Sequence, residues 1–368
     1  MPLLKPSHLR LAQISSRRSA RAALSTHAAP FPVIPTCPDP TCPCSSIPAG
    51  LDIDRKQQLS GSMSPYTQHL IVSTGRSDWT SRIEDEKDTA VWGRFTADVK
   101  ASLGRGGEFH DPYNNVLVSM SSFTPLADLQ RNGETPPAGV QASKIVDALV
   151  FPAFRHFKEL GIEPQSNTLR KFIKSSLLPE EGKIHPIYKD RSESERKAKT
   201  RDSSLATSLD SSFIETPTIL ICSHGQRDSR CGILGPLLHA EFTRYINHRK
   251  TSDRVSGPML KATAGAFDPR SSLSPDSTSS ADSSINVNVG MISHVGGHKW
   301  AGNVIIYIPP TFECLPSGPH PLAGSGIWYG RVEPRHVEGI VEQTLLRGKV
   351  IQDHFRGGIT KGGDILRL

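Results

Sequence analysis

Residues 216–232 read TPTILICSHGQRDSRCG, and this stretch decides the fold of the C-terminal half of the chain. The run Thr216–Cys222 is short and apolar, which predicts a buried strand. A turn follows, and the apolar residues beyond it recur at helical spacing, along one face of a helix. They are Leu234, Leu237, Leu238, Phe242 and Ile246. A strand, a turn and a helix in this order predict an α/β unit.

The same alternation continues towards the C-terminus. Two strand-like runs, Ile285–Ser293 and Asn303–Ile308, are joined by the loop HVGGHKWAG, and Ile327–Val332 is a third strand. A helix is expected next, with one apolar face formed by Val337, Ile340, Val341 and Leu345. We therefore predict a C-terminal domain over 215–355, with a low-complexity surface loop at 271–284 and a tail at 356–368.

The N-terminal half of the chain has an order of elements similar to that of the C-terminal half, but the two halves show no convincing sequence repeat. Strands are predicted at His69–Thr74, Asn115–Ser121 and Asp147–Phe154, and Ser77 or Asp78 is expected to cap a helix that ends near Leu103. The resulting N-terminal α/β domain spans 61–185. Before it lies a Pro- and Cys-rich strap over 31–60, and after it a polar insertion over 186–214.

The positive charge of the chain is concentrated at its start. The net charge is +7, and the first 38 residues contain five basic residues and no Asp or Glu. An Arg- and Ser-rich, acid-free segment is typical of a mitochondrial transit peptide, which we place at 1–30, with a plain disordered basic tail as the alternative. The remaining +2 gives no electrostatic reason to expect a nucleic-acid partner, and no apolar run approaches a membrane span. The predicted location is mitochondrial, either matrix or intermembrane space.

Four potential metal ligands stand where strands of the C-terminal half run into loops. Cys222 and Cys231 form a C-x8-C pair, and His294 and His298 form an H-x3-H pair around two glycines. Two thiolates and two imidazoles suit either Zn²⁺ or a [2Fe–2S] cluster, and this spacing is wide for a zinc knuckle. Alternatively, the cysteines are small buried hydrophobes and the histidines bond to backbone.

Several neighbours of these ligands have two interpretations. Arg227, Asp228 and Arg230 form either an exposed ion-pair loop, which is the default, or a set of groups that tune a cluster. Lys299 and Trp300 are candidates for shielding the site, and Trp300 is equally well explained as a core residue.

The motifs ILICSHGQRDSRCGILGPLL, SHVGGHKWAGNVIIY and GIWYGRVEPRHVEGIV closely resemble the sucrase/ferredoxin-like family of thioredoxin-like ferredoxins. GSMSPYTQHLIVSTGRSDW and CPDPTCPC resemble it more weakly, so that the resemblance covers about 37–355. It implies two thioredoxin-like α/β units, the C-terminal one a thioredoxin-like ferredoxin domain. It also implies a [2Fe–2S] cluster held by Cys222, Cys231, His294 and His298.

A protein of this kind is an electron carrier or redox protein rather than a classical enzyme, so no catalytic residue is predicted. Imidazole ligands raise a cluster's potential and leave a ring nitrogen that can titrate, so electron uptake is expected to be coupled to proton uptake. The donor and acceptor would be separate proteins, because the sequence has no nicotinamide, flavin or nucleotide fingerprint.

The remaining cysteines leave a second function open. Cys37, Cys42 and Cys44 in the strap, with Cys314, are either unpaired thiols, a disulfide, a redox-active set or a second metal site. A thiol–disulfide oxidoreductase and a structural zinc domain are thus the alternatives to an electron carrier. The oxidoreductase lacks the C-x-x-C motif at a helix N-terminus that stabilises a reactive thiolate.

Overall fold

Strands and helices alternate along both halves of the chain in the computed structural model, which describes residues 29–130, 145–162, 167–249, 259–270, 284–313 and 318–368. The strands are β1 Val33–Ile34, β2 Gln68–Ser73, β3 Val116–Ser121, β4 Ile145–Phe151, β5 Arg155–Gly161, β6 Ser211–Phe213, β7 Thr218–Cys222, β8 Met259–Thr263, β9 Ser284–Ile292, β10 Val304–Tyr307, β11 Gly326–Tyr329, β12 Val350–Ile351, β13 Phe355–Ile359 and β14 Ile365–Leu366. The helices are α1 Val91–Leu103, α2 Leu126–Gln130, α3 Thr168–Phe172, α4 Glu193–Lys199, α5 Ser229–His248 and α6 Val337–Gly339. Both α3 and α6 continue as a wider π-helical turn, over Ile173–Leu177 and Ile340–Leu345.

One mixed sheet of twelve strands carries the fold, in the order β14-β13-β11-β10-β7-β9-β3-β2-β4-β5-β6, with β8 also paired to β9. The central strands are short apolar runs that are buried on both faces, as expected for strands covered by helices. The predicted α/β class is confirmed.

The strand pattern occurs twice within this sheet. In the N-terminal half β2 is parallel to β3 and antiparallel to β4, which is antiparallel to β5. In the C-terminal half β7 is likewise parallel to β9 and antiparallel to β10, and β10 is antiparallel to β11. The two sets meet where β3 lies beside β9, at the pair Ser121 and Ile292. Residues 31–368 thus form one compact unit, and the division into two thioredoxin-like domains stays a prediction.

The apolar core of the N-terminal half lies between the sheet and the helices α1 and α3. Its largest side chains come from different elements and include Trp79, Phe95, Phe157 and Phe172, which are 0 to 3% exposed. Burying such aromatic side chains contributes about 1.5–3 kcal/mol each.

The start of α1 differs from the prediction. α1 follows Ala90 without a side-chain cap, so the prediction of Ser77 or Asp78 as its cap is wrong. The Asp78 carboxylate instead accepts N–H groups from Trp79 and Gln226, in the loop after β7. α5 begins at Ser229, because the Asp228 side chain accepts the N–H of Arg230.

The polar insertion 186–214 and the tail 356–368 both contain regular structure. α4 begins with a capping box formed by Ser192 and Glu195, and β6 extends the sheet beyond β5. In the tail, the remainder of β13 pairs with β11, and β14 closes that edge of the sheet. The loop 271–284 and the transit segment 1–30 lie almost wholly outside the described residues.

The strap 31–60 runs along the C-terminal half. β1 pairs with β12, Thr41 donates to Glu338, and Ser45 donates to Glu241 on α5. Further on, the backbone N–H of Asp54 donates to the carbonyl of Lys299, beside the predicted ligand loop. No helix in the described part of the chain combines the length and the apolar character needed to cross a membrane.

Candidate metal centre

The two predicted cysteine ligands lie side by side beneath the protein surface. Cys222 is the last residue of β7 and Cys231 lies in the first turn of α5, and they are 1% and 0% exposed. Hydrogen bonds from the Cys231 thiol and from His294 hold the pKa of Cys222 well below its usual range. The pKa of Cys231 is raised, because that thiol donates to Cys222 and is buried. Cys222 is therefore the member of the pair whose thiolate form is favoured.

The two histidines lie on the loop over residues 293–303 that follows β9, the ligand loop. Gly296 and Gly297 have φ values of +84° and +78°, a left-handed conformation that favours glycine and turns the chain back on itself. This turn brings the rings of His294 and His298 to a centroid separation of 5.3 Å. His294 is half-buried and its Nδ1 atom is buried without a hydrogen-bond partner, whereas His298 is exposed.

The four predicted ligands form two neighbouring pairs, joined by the contact between Cys222 and His294. Within the described residues, no three His, Cys, Asp or Glu side chains converge as they would around a single metal ion. The donor set nevertheless fits a two-iron group in which each iron has two protein ligands, because two thiols and two imidazoles are present. The orphaned Nδ1 of His294 is the clearest structural sign of an absent partner.

His224 supports this loop, and the sequence analysis missed it. Its Nδ1 accepts the backbone N–H of His294 at 3.1 Å, so its Nε2 carries the proton and donates to the carbonyls of Trp79 and Thr80 at 2.9 Å. His224 is only 2% exposed. It links the ligand loop to the N-terminal half through backbone atoms, for which no sequence signal exists.

The charged turn before α5 has the ion-pair character that was its default interpretation. Asp228 caps α5 and forms an ion pair with Arg230 at 2.8 Å, and Arg230 also donates to the carbonyl of Asp52 in the strap. Arg230 and His298 both lower the pKa of Asp228, the arginine more strongly through its hydrogen bond. Arg227 contacts Ser81. The tuning of a cluster by these groups stays a prediction.

Lys299 and Trp300 pack on each other beside the ligands. The Lys299 ammonium lies 4.5 Å from the centre of the Trp300 ring, and Trp300 is 9% exposed. The indole Nε1 is buried without a partner. Trp300 thus packs as a core residue and also covers one side of the ligand loop.

The strap cysteines lie away from this site, on the outside of α5 and α6. The Cys37 thiol contacts the carbonyl of His336, and burial raises the Cys37 pKa to about 12. Cys42 contacts Glu338, and burial raises its pKa as well. A raised pKa lowers the fraction of thiolate, which is the nucleophilic form of cysteine. Cys314 lies outside the described residues, and a redox or metal-binding role for Cys44 stays a prediction.

Comparison with known proteins gives one family and a group of fungal relatives. The sucrase/ferredoxin-like family model matches residues 59–357. Altered inheritance of mitochondria protein 32 of Meyerozyma guilliermondii is 31% identical over 198 residues, which are 54% of this chain and 53% of that protein. The chain therefore spans about half the length of this relative.

Other relatives align over more of their length. The protein of the same name from Debaryomyces hansenii is 25% identical over 86% of this chain and 93% of its own. Actin patches distal protein 1 of Saccharomyces cerevisiae is 23% identical over 81% of this chain and 75% of its own. No solved structure gave a significant match.

The names of the fungal relatives imply a mitochondrial location, which agrees with the prediction from the N-terminal composition. The family match covers most of the described residues, including both halves of the sheet and all four predicted ligands. The chain belongs to the sucrase/ferredoxin-like family.

Proposed function

We propose that this protein is a mitochondrial one-electron carrier that holds a [2Fe–2S] cluster through Cys222, Cys231, His294 and His298. The observation that carries the proposal is the contact of a buried cysteine with a lowered pKa, Cys222, with a histidine whose Nδ1 has no hydrogen-bond partner. An unpaired buried polar atom is costly unless it has a ligand, and a metal group supplies one.

The grouping of the donors favours two irons over one zinc ion. A structural zinc ion needs four donors around one point. Here the thiols form one pair and the imidazoles another, which is the division of ligands in a mixed-ligand two-iron cluster. When bound, such a cluster would accept and release one electron.

The protein would control the access of solvent to the sulfur ligands and the protonation of the imidazole ligands. The cysteine side is closed to solvent, so water and thiol reagents are kept from the sulfur ligands, while His298 reaches the surface. An imidazole that ligates through one nitrogen can exchange a proton with solvent at the other, which links electron uptake to pH.

The repeated strand pattern supports the finer proposal for the fold. Each half of the sheet has a parallel pair followed by two antiparallel strands, with a helix after the first strand. We infer that each half is a thioredoxin-like unit, and that the C-terminal unit is the ferredoxin domain.

The proposal is tested with full-length protein purified without oxygen. We expect a coloured protein with about two irons and two acid-labile sulfides per chain. His298→Cys should keep the cluster and lower its potential, because a thiolate adds negative charge, and should flatten the dependence of potential on pH. A colourless protein that contains zinc, or a His298→Cys variant with an unchanged spectrum and potential, would overturn the assignment.

A thiol–disulfide oxidoreductase is the second candidate, because Cys222 and Cys231 are in contact and the pKa of Cys222 is lowered by that contact. Their burial opposes it, since a substrate disulfide must reach the attacking sulfur. Metal-free protein whose Cys222 and Cys231 form a disulfide with a substrate protein would favour this second function.

A further inference from the structure

Arg356 on β13 is a buried cation without a carboxylate partner. It is 2% exposed, and its hydrogen-bond partners among the described residues are all neutral groups. Burial lowers the Arg356 pKa to about 10, so the guanidinium stays charged at physiological pH. Burying an unpaired charge costs several kcal/mol in proteins. A compensating interaction is therefore expected for this cation.

The guanidinium is held by neutral groups from three parts of the chain. It donates to the carbonyl of Gly296 at 3.2 Å, to Oδ1 of Asn303 at 2.7 Å, and to Oγ and the carbonyl of Ser62, both at 3.1 Å. The Trp300 and Trp328 rings lie 5.1 and 5.9 Å from it. This arrangement fixes the charge in place.

The sulfur groups of Cys222 and Cys231 act on Arg356 in the opposite sense to burial, because their negative charge favours the protonated guanidinium. The ligand loop is also shaped around it: a Cβ atom on Gly297 would come within 2.5 Å of its Nη2 atom. The loop between the two histidines thus needs glycine at Gly297 to admit the guanidinium, beyond the need set by its backbone angle.

We infer that Arg356 is a positioning residue that compensates the charge of the proposed centre, and this inference rests on the proposed function. Through Gly296 it orders the loop that carries His294 and His298. Its fixed charge also favours the reduced state. Two ferric irons, two sulfides and two thiolates sum to zero, so the added electron makes the centre anionic beside a cation that solvent screens weakly.

The test compares three full-length variants. Arg356→Gln removes the charge and Arg356→Lys keeps it. Arg331→Gln is the matched control, because Arg331 is similarly placed beside the loop but is paired with Asp54. We expect Arg356→Gln to lower the ratio of reduced to oxidised protein about tenfold at fixed potential, which is about 59 mV for one electron. Arg356→Lys and Arg331→Gln should shift it much less.

A second measurement uses metal-free protein and does not depend on the cluster. Amide hydrogen exchange over 294–300 should accelerate in Arg356→Gln and remain as in the wild type in Arg331→Gln. If wild-type protein binds no cluster, the proposed function fails while this exchange result still tests the ordering of the loop. If Arg356→Gln binds a cluster with the potential of the control, or exchanges at the wild-type rate, the inference is overturned.

Discussion

Replacing His224 tests how the ligand loop is held. Nδ1 of His224 accepts the His294 N–H, and Nε2 donates to the Trp79 and Thr80 carbonyls. In His224→Phe, the His294 N–H and at least one of those carbonyls lose their partner. A buried group left unpaired costs about 1–3 kcal/mol, so the two together should lower the free energy of unfolding by about 2–6 kcal/mol.

Conservative variants separate the two ends of the ring. Asn at this position retains an acceptor near Nδ1, whereas Gln retains a donor near Nε2. If the bond to His294 orders the loop, His224→Asn should keep more of the bound iron than His224→Gln, although both lose stability. The assays are urea unfolding of metal-free protein and iron content of protein purified without oxygen.

His320 is a matched control for this variant. It is also buried, and its ring accepts the N–H of Leu322 and donates to the carbonyl of Leu345. His320→Phe should cost similar stability while leaving iron content and potential unchanged in the folded fraction. The reasoning fails if His224→Phe is as stable as the wild type, or if His224→Phe and His320→Phe lose iron equally at matched stability.

Three further predictions concern other parts of the molecule. Burial lowers the pKa of His69 to about 3 and that of His320 to about 4. Above the unfolded-state pKa near 6.5, both histidines are neutral in the folded and in the unfolded chain, so they do not reduce the free energy of unfolding there. As the pH falls below 6.5, these histidines bind protons in the unfolded chain but not in the folded protein. The free energy of unfolding of metal-free protein should therefore fall by about 1.4 kcal/mol per pH unit for each histidine. Equal unfolding midpoints in urea at pH 7.5 and 5.5 would contradict this. Gly297→Ala should lower iron content more than Gly296→Ala, because both have positive φ but only the Cβ at 297 would meet Arg356; equal losses would attribute the effect to backbone strain. Glu338→Gln should loosen the strap, because one oxygen that accepts from Thr41 becomes an amide donor, and Cys37 should then be alkylated faster; an unchanged rate would show that Glu338 does not hold the strap.

The sequence predicted the parts of the fold that depend on local patterns. β7, β9 and β10 are apolar runs bounded by polar turns, and the structure places them within a few residues of the predicted positions. β5 was missed because its RHFKELG sequence has polar residues and no alternation, and it is a strand because β4 and β6 pair with it. Tertiary pairing overrides local propensity here.

The residues of the candidate site also divide into those that the sequence predicts and those that only the structure reveals. Cysteine and histidine have few roles in a Gly-flanked turn, so the four ligand candidates are visible in the sequence. His224 and Arg356 have ordinary alternatives, and their roles depend on carbonyl groups of Trp79 and Gly296. A backbone acceptor has no side-chain signature, so these supporting residues could be found only from the structure.

The paired registers of the two halves show which residues of the N-terminal half stand where the C-terminal half has its predicted ligands. β2 pairs with β3 as β7 pairs with β9, so Ser73 opposite Ser121 corresponds to Cys222 opposite Ile292.

Two residues beyond these pairs, Phe123 in the N-terminal half corresponds to His294. Serine and phenylalanine are not ligands of iron–sulfur clusters, which use thiolate and imidazole. Both side chains are buried, and the Ser73 hydroxyl has no hydrogen-bond partner. The N-terminal half therefore has the strand pattern of the C-terminal half without its predicted ligands. Its loop after β2 instead supports the loop after β7 through Asp78 and the Trp79 carbonyl.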